Sequence, residues 1–174
     1  MKKICLFIFL LMFVVPVLAV ANPLMQQKFW VSATSADVEK AIKSGSNPKE
    51  IDSYMATPLH FACMFSNDLE AVRVILGKGV DVNKKDIYGF TPLMLSKNIK
   101  IAEELIKNGA DVNACDEDKN SVLIQFLEDE KWDMAELLVD KGANISVKNR
   151  FGTKASDLAR LFKAPQSLQK KLSN

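Results

Sequence analysis

The residues able to perform acid–base, nucleophilic or metal chemistry are few in this 174-residue chain. It has one histidine, His60, and three cysteines, which are Cys5, Cys63 and Cys115. A protein zinc site needs three or four nitrogen or sulfur ligands close together, and the sequence offers no second histidine or cysteine cluster to join His60. The sequence therefore predicts neither a metal site nor a catalytic centre around this histidine.

A short acidic run gives the nearest match to a metal-binding motif. Asp116, Asp118 and Asn120 have the spacing that opens a calcium loop. However, Ser121 stands where the turn glycine belongs, and Leu127 stands where the bidentate glutamate belongs, so we interpret the match as accidental. Glycine-rich phosphate loops, nucleophile elbows and dinucleotide-binding fingerprints are also absent from the sequence. We expect a protein with no enzymatic activity, no cofactor and no metal.

A regular spacing organises most of the chain. Glycines recur at intervals of 34, 30 and 33 residues, at Gly45, Gly79, Gly109 and Gly142. Apolar residues three, four and seven positions before each glycine lie on one stripe of a helix, and the glycine can end that helix in a left-handed conformation. A period near 33 residues predicts one supersecondary unit, copied along the chain and stacked on its neighbours.

The other helix of each unit begins twelve residues after the glycine, most clearly at Thr57-Pro58 and Thr91-Pro92. The hydroxyl can cap free N–H groups, and proline at the first helical position has no N–H to lose. Here the chain resembles the ankyrin repeat family, through the matching runs Thr57-Pro58-Leu59-His60-Phe61-Ala62, Gly79-Val80-Asp81-Val82-Asn83 and Gly109-Ala110-Asp111-Val112-Asn113-Ala114.

This resemblance implies an all-α repeat solenoid, in which stacked helix-turn-helix ankyrin repeats are joined by β-hairpin loops. It also implies a structural role for His60, whose ring ties neighbouring repeat loops together by hydrogen bonds. The register of the copies predicts one ankyrin-repeat domain over residues 22–174. Its parts are an N-terminal cap 26–51, repeats 52–85, 86–115 and 116–148, and a C-terminal capping repeat 149–174.

Two repeats depart from the family pattern. The third unit is about one helical turn shorter than its neighbours, so Ser96-Lys97-Asn98 has little room to connect two helices, and we expect a distorted repeat there. In the following unit Phe126 occupies the position of a small alanine that lets helices approach closely. We therefore expect looser helix contacts near Phe126.

Residues 1–21 have a different character. Two lysines precede an uncharged apolar run over 4–15, and Ala19 and Ala21 are the small residues of a processing site. This pattern is typical of a secretory signal peptide that is cut after Ala21. An uncleaved membrane anchor is the alternative, because the segment is just long enough to span a bilayer, but Pro16 and the small residues favour cleavage. We expect a periplasmic or secreted protein, not attached to a membrane once the signal is cleaved.

Charge and cysteine placement narrow the expected partners and chemistry. Without Lys2 and Lys3 the chain has 21 basic and 21 acidic residues, a balance that argues against a nucleic-acid binder, which needs a concentrated basic face. Cys63 and Cys115 lie two units apart. Stacked helices are about 10 Å apart, so this separation exceeds the roughly 7 Å reach of a disulfide. We expect two free thiols.

The remaining functional signal is on the loop tips. In the ankyrin family the tips and the inner helices form a concave wall that binds other proteins, and aromatic residues and arginine often dominate binding energy. The equivalent tip positions are Tyr54, Tyr88, Asp118 and Phe151. The predicted protein-binding residues are Tyr54, Ile87, Tyr88, Phe90, Arg150 and Phe151.

For Phe90, and for Met64, Phe65 and Trp132 outside that list, the sequence leaves the role open or favours packing. Packing against the next hairpin is the alternative for Phe90. Met64 and Phe65 either extend the apolar strip or cover a turn, and we interpret Trp132 as a packing residue.

These observations together predict an exported, monomeric protein that binds another protein. Inhibition of an enzyme or toxin, as by an immunity or protective protein, is the first role that fits. The alternatives are an accessory factor for a periplasmic enzyme, a secreted effector acting on host proteins, and a membrane-anchored structural module of the envelope.

Overall fold

The computed structural model describes residues 22–173, so the predicted signal peptide lies outside the described residues. Within 22–173 the regular elements are all helical, and no helix there is long and apolar enough to cross a bilayer. A 3-10 helix, Pro23–Met25, comes first. The α-helices that follow are α1 (Gln27–Trp30), α2 (Ser35–Lys43), α3 (Pro58–Phe65), α4 (Leu69–Leu76), α5 (Ile99–Lys107), α6 (Val122–Glu128), α7 (Trp132–Asp140), α8 (Ala155–Leu161) and α9 (Gln166–Lys171).

The helices lie in two rows, as an all-α repeat solenoid requires. The outer row runs through α2, α4, α5, α7 and α9, each packed on the next. The inner row contains α1 packed on α3, and α6 packed on α8. The outer row is therefore continuous along the described chain, whereas the inner row has no α-helix between α3 and α6.

The outer helices form because their caps and apolar stripes agree. In α5 the side chain of Asn98 accepts the N–H of Lys100, which satisfies one of the free donors at the helix start. Ile101, Ala102 and Leu105 follow at helical spacing, and all three are fully buried. The predicted apolar stripe before each glycine is thus the face that holds the outer row together.

The third unit, which is the repeat over 86–115, is distorted as predicted, but more strongly than expected. The chain makes only a turn at residues 92–95, where the other repeats have an inner helix. Leu93 and Met94 are nevertheless buried at 1% exposure, so the turn still contributes to the core. Ser96-Lys97-Asn98 therefore follows a single turn and does not join two α-helices, because the shortened segment ends before a second turn can form.

The predicted loosening near Phe126 is absent. Its ring is fully buried, and α6 packs on both α7 and α8. The neighbouring Gln125 donates from Nε2 to the carbonyl of Met94 at 3.4 Å, so α6 faces the turn at 92–95. Phe126 is therefore part of the packed core of its repeat.

The packed structure extends back to Asn22, before the start of the family resemblance at Gln26. Leu24 is fully buried, and the indole Nε1 of Trp30 donates to its carbonyl at 2.8 Å. The side chain of Asn22 donates to the carbonyl of Asn47 and to the carboxylate of Glu50. These bonds tie the first described residues to the loop that precedes the first tip.

Both cysteines in the described chain are free, as predicted. Cys63 is fully buried in α3, and this burial raises the pKa of its thiol, whereas Cys115 is partly exposed. We conclude that Cys63 acts as a small core residue.

The rings of Phe65 and Trp132 are half-buried against the core. Both rings therefore have a packing role, as the sequence predicted for Trp132.

Candidate protein-binding site

The loops between repeats end in four tips with the same internal bonds. We define them as tip 1 (52–56), tip 2 (86–90), tip 3 (116–120) and tip 4 (149–153). In each tip the opening side chain accepts the backbone N–H groups two and four residues further on, at 2.8–3.0 Å. The opening N–H also donates to the carbonyl four residues ahead. The opening residues are Asp52, Asp86, Asp116 and Asn149.

These bonds give Asp116 a structural role, in line with the interpretation of its calcium-like spacing as accidental. Its Oδ1 accepts the N–H groups of Asp118 and Asn120, so it closes the tip like its counterparts. The loops have hairpin geometry with only isolated antiparallel bridges in residues 22–173, at Cys115 with Ser121 and at Lys148 with Lys154. The predicted β-hairpin loops are therefore present in their shortest form.

Successive tips are bonded to one another. The N–H of Ile87 donates to the carbonyl of Tyr54 at 2.9 Å, and the N–H of Glu117 donates to that of Tyr88 at 3.2 Å. Tip 4 repeats this bond when Arg150 N–H donates to the Asp118 carbonyl, also at 3.2 Å. The four tips therefore form one continuous tip ladder along an edge of the stack.

His60 connects tip 2 to the repeat before it. Its Nδ1 accepts the backbone N–H of Thr57 at 3.0 Å, so the ring proton is on Nε2, which donates to the carbonyl of Phe90 at 3.2 Å. Burial lowers the pKa of His60, which keeps the ring neutral. The arrangement confirms the structural role implied by the family resemblance.

The fourth position of every tip has a left-handed backbone. Met55 and Lys119 adopt φ of 59° and 61° there, close to the 81° and 79° of Gly89 and Gly152. Only at Gly89 is the space filled, because an added Cβ would lie 2.8 Å from the backbone nitrogen of Glu117. Tip 2 therefore requires glycine, whereas tip 1 holds a methionine side chain at its surface.

Most of the predicted binding residues are exposed on this ladder. Tyr54 is 56% exposed, Tyr88 is 55% exposed and Phe151 is 73% exposed, with Ile87 beside them at 43%. Phe90 is different, because its ring is half-buried against the core, 6.4 Å from the ring of Tyr88. The packing alternative therefore describes Phe90.

Arg150 is not a free cation. Its guanidinium forms an ion pair with Asp118 at 2.5 Å and lies 4.7 Å from the centroid of the Phe151 ring. This interaction crosses from tip 3 to tip 4, so the charges at this end of the ladder are largely satisfied within the protein. A partner could use only those Arg150 donors that Asp118 does not occupy.

The first two tips carry additional apolar surface that the sequence analysis missed. Ile51 is 52% exposed and Met55 is 41% exposed, next to Tyr54. These residues, with Ile87 and Tyr88, form an exposed apolar surface on tips 1 and 2 and at the residue before tip 1. We call this surface the tyrosine patch, and its members are Ile51, Tyr54, Met55, Ile87 and Tyr88. Met55 could have been found from the sequence, because a methionine stands where tips 2 and 4 have glycine.

A rigid ladder of loop tips on a two-row helical stack defines a repeat scaffold that presents side chains to another macromolecule. No group of His, Cys, Asp or Glu in residues 22–173 could hold a metal ion. The chain belongs to the ankyrin repeat family, since the family model for ankyrin repeats (3 copies) matches residues 30–116. Tip 4 lies beyond that match and keeps the same bonds. Ankyrin repeats are protein-interaction modules, so this chain is a protein-binding module.

The chain is similar to repeat proteins from viruses and animals. Ankyrin repeat protein OPG189 of Variola virus is 32% identical over 115 residues, which cover 59% of this chain and 20% of the viral protein. Inversin of Gallus gallus is 29% identical over 119 residues, or 67% of this chain and 11% of inversin. The transient receptor potential cation channel subfamily A member 1 of Drosophila melanogaster is 29% identical over 120 residues, or 64% of this chain and 10% of the channel. The chain spans at most a fifth of the length of these relatives.

Proposed function

We propose that this protein is exported and binds another protein through the tip ladder, with the tyrosine patch as the main contact. The observation that carries the proposal is the exposure of Tyr54 and Tyr88 on tips that are hydrogen-bonded to each other. Tyrosine rings bury a large area when they bind, and few of their rotatable bonds become fixed. Because the tips are already hydrogen-bonded to each other, the loops lose less conformational entropy on binding.

The role we propose first is inhibition or protection of the partner, in the manner of an immunity protein. Support comes from the ladder itself, which can cover a partner's surface without moving, and from the signal-like pattern of residues 1–21. We further propose that the protein acts as a monomer in the periplasm or outside the cell, and that it performs no catalysis. An accessory role on a periplasmic enzyme, or an effector role on host proteins, would use the same surface.

The export step is tested by sequencing the N-terminus of protein recovered from its native cell. Cleavage after Ala21 gives a sequence that starts Asn22-Pro23-Leu24. Retention of Met1 in a membrane fraction would contradict export as a free protein. It would favour the envelope module held by an uncleaved anchor.

The binding surface is tested by crosslinking the protein to partners in periplasmic extract and measuring the affinity of the partner that is recovered. Tyr88→Ala should weaken binding by about 2 kcal/mol or more, because Tyr88 is the middle one of the three exposed tip rings, between Tyr54 and Phe151. Leu161→Ala is the matched control, since Leu161 is an apolar residue on α8 that is 70% exposed and belongs to no tip. Unchanged affinity in Tyr54→Ala, Tyr88→Ala and Phe151→Ala would exclude the ladder as the interface.

A further inference from the structure

Charge is distributed unevenly along the stack. Residues 141–174 contain eight basic residues and one acidic residue, a net charge of +7. Residues 22–140 contain 13 basic and 20 acidic residues, a net charge of −7. Part of this excess is paired across the boundary, because Arg150 contacts Asp118 and Lys171 contacts Glu136 and Asp140. The remaining cations give the C-terminal end an excess of positive charge.

Two lysines at this end face each other. Lys148 and Lys154 are partners in an antiparallel β-bridge, which places side chains roughly 5 Å apart at Cβ, and like charges in such pairs repel. Both residues are exposed. Neither ammonium group has an ion pair or a hydrogen bond within residues 22–173. Both ammonium groups are therefore open to an anion from outside this part of the chain.

Lys154 also lines a shallow, open pocket at the end of the stack. Arg160 lies in the same pocket, together with three residues that bear hydroxyls, Ser146, Ser156 and Ser173. The Arg160 Nη2 contacts Asp157 at 3.1 Å, and its Nε is 3.4 Å from the carbonyl of Ser156.

Asp157, the acid that contacts Arg160, does not line the pocket. The carboxylate of Asp157 accepts the backbone N–H of Lys154 at 3.2 Å and contacts Arg160, so it is turned toward the start of α8. It lowers the positive charge of the site without occupying the pocket. The pocket therefore combines two cationic side chains with hydroxyl donors, and the Lys148 ammonium adds charge beside it.

We propose that this pocket binds a phosphate-class anion, with Lys154 and Arg160 as its charged contacts. A phosphate group offers several oxygens to the converging donors, whereas a carboxylate offers two, so the donor set favours phosphate. The Ser146 and Ser156 hydroxyls supply neutral donors that orient the anion, whereas the Ser173 hydroxyl donates to the carbonyl of Gln169. This site adjoins tip 4, but no tip residue lines the pocket, and the site does not depend on the proposed protein-binding function.

The test is a titration of the folded protein with inorganic phosphate, followed by NMR shifts of the amide signals of residues 145–173. Sodium chloride and sodium acetate at matched ionic strength provide the reference. Phosphate should give a saturable shift, and Lys154→Gln should weaken it about fivefold or more, since it removes a charge-assisted contact. Lys154→Arg should retain binding. A phosphate response equal to that of chloride would overturn the proposal.

Lys49→Gln is the matched control. It removes one positive charge from another exposed lysine without an ion pair, near the N-terminal end of the stack. It should change phosphate binding by less than about twofold, because screening weakens distant charges. Equal losses in Lys49→Gln and Lys154→Gln would show a general charge effect and exclude the pocket.

Vesicles distinguish a free anion from a lipid headgroup. Saturable phosphate binding without binding to phosphatidylglycerol vesicles would support a small free ligand. Binding to those vesicles, but not to phosphatidylcholine vesicles, with the same sensitivity to Lys154→Gln would support a headgroup. The proposed site is wrong if phosphate binding does not saturate and vesicle binding is unchanged by Lys154→Gln.

Discussion

The tip ladder and the helical rows belong to the same repeats but tolerate variation differently. All four tips keep the same hydrogen bonds, although their third residues are Tyr54, Tyr88, Asp118 and Phe151. The helical rows change from repeat to repeat, and the inner row loses an α-helix at residues 92–95.

The difference follows from what holds each region together. A tip is closed by backbone groups and one side-chain oxygen, so the exposed side chain at its third position is free to vary. The helices are held by close packing of particular side-chain volumes, so a change at one position alters its neighbours. The ladder can therefore specify a partner at little expense in folding stability, while the rows determine stability.

The largest effect should come from Leu105→Ala. Leu105 is fully buried on α5, the one α-helix between α4 and α6 in the described chain. Removing its side chain should lower the free energy of unfolding by about 2–5 kcal/mol. Because each repeat contacts only its neighbours, weakening α5 should also uncouple the two ends of the stack.

Tryptophan fluorescence can report this uncoupling, because Trp30 lies before the short repeat and Trp132 lies after it. In urea, Leu105→Ala should separate the two signals when each is read in a variant that lacks the other tryptophan. Leu138→Ala is the control, because Leu138 is also fully buried but lies on α7, which packs on α6. In this variant the two fluorescence transitions should stay coincident. Coincident transitions in Leu105→Ala would show that the short repeat is not the weakest junction.

A smaller effect is expected from alanine in tip 2. Gly89→Ala forces a left-handed residue and also places a Cβ 2.8 Å from the backbone of Glu117. We expect a loss of about 2 kcal/mol or more, since the neighbouring backbone must move. Gly152→Ala has the same backbone strain in open space and should lose about 1 kcal/mol. Thermal unfolding of both variants measures the difference, and equal losses would mean that tips 2 and 3 are not in close contact.

The sequence predicted the parts of the structure that depend on local rules. The glycine period, the helix starts and the apolar stripes each involve residues close in the chain, and they predicted the all-α repeat fold and the two free thiols correctly. It also predicted a distorted third repeat, because a missing turn is visible in the spacing.

Features that depend on contacts between repeats were harder to predict. The ion pair of Arg150 with Asp118 joins residues 32 positions apart and follows from the register of tips 3 and 4. Phe126 was expected to loosen the helix contacts, but its ring is fully buried, and how a large ring packs among the helices cannot be seen from its position in the repeat. The excess of basic residues at the C-terminal end was missed because acidic and basic residues balance over residues 22–174 as a whole.

His60 should make stability depend on pH. Burial lowers its pKa below the ordinary value of 6.5, while the nearby carboxylates of Asp86 and Asp52 oppose this in part. The unfolded chain therefore binds a proton that the folded protein does not. The stabilisation is complete above about pH 6.5 and is lost as the pH falls through the lowered pKa.

His60→Ala should remove this pH dependence. It should also lower stability by about 1–3 kcal/mol at neutral pH, because it leaves buried hydrogen-bonding groups of Thr57 and Phe90 without partners. Urea unfolding of both proteins above and below pH 6.5 measures the two effects. A wild-type stability that does not fall over this interval would show that the folded ring accepts a proton as readily as the unfolded one.

The smallest effect on folding should come from Tyr88→Ala, and its neighbour Phe90 provides the comparison. The two rings lie 6.4 Å apart in one tip, but Tyr88 is 55% exposed whereas Phe90 is half-buried against the core. The tip is closed by the backbone N–H groups of both residues, and alanine keeps these groups. Tyr88→Ala should therefore change the free energy of unfolding by no more than about 0.5 kcal/mol.

Phe90→Ala removes packed surface from the same tip, so it should lower the free energy of unfolding by about 1–3 kcal/mol. Urea unfolding of the two variants under one set of conditions gives both values without any knowledge of the partner. Equal losses would mean that the Tyr88 ring supports the core, and the tip ladder would then lack the freedom to vary that distinguishes it from the helical rows. A loss confined to Phe90→Ala would leave Tyr88 as a residue whose exposed ring folding does not require, which is the property that a binding contact needs.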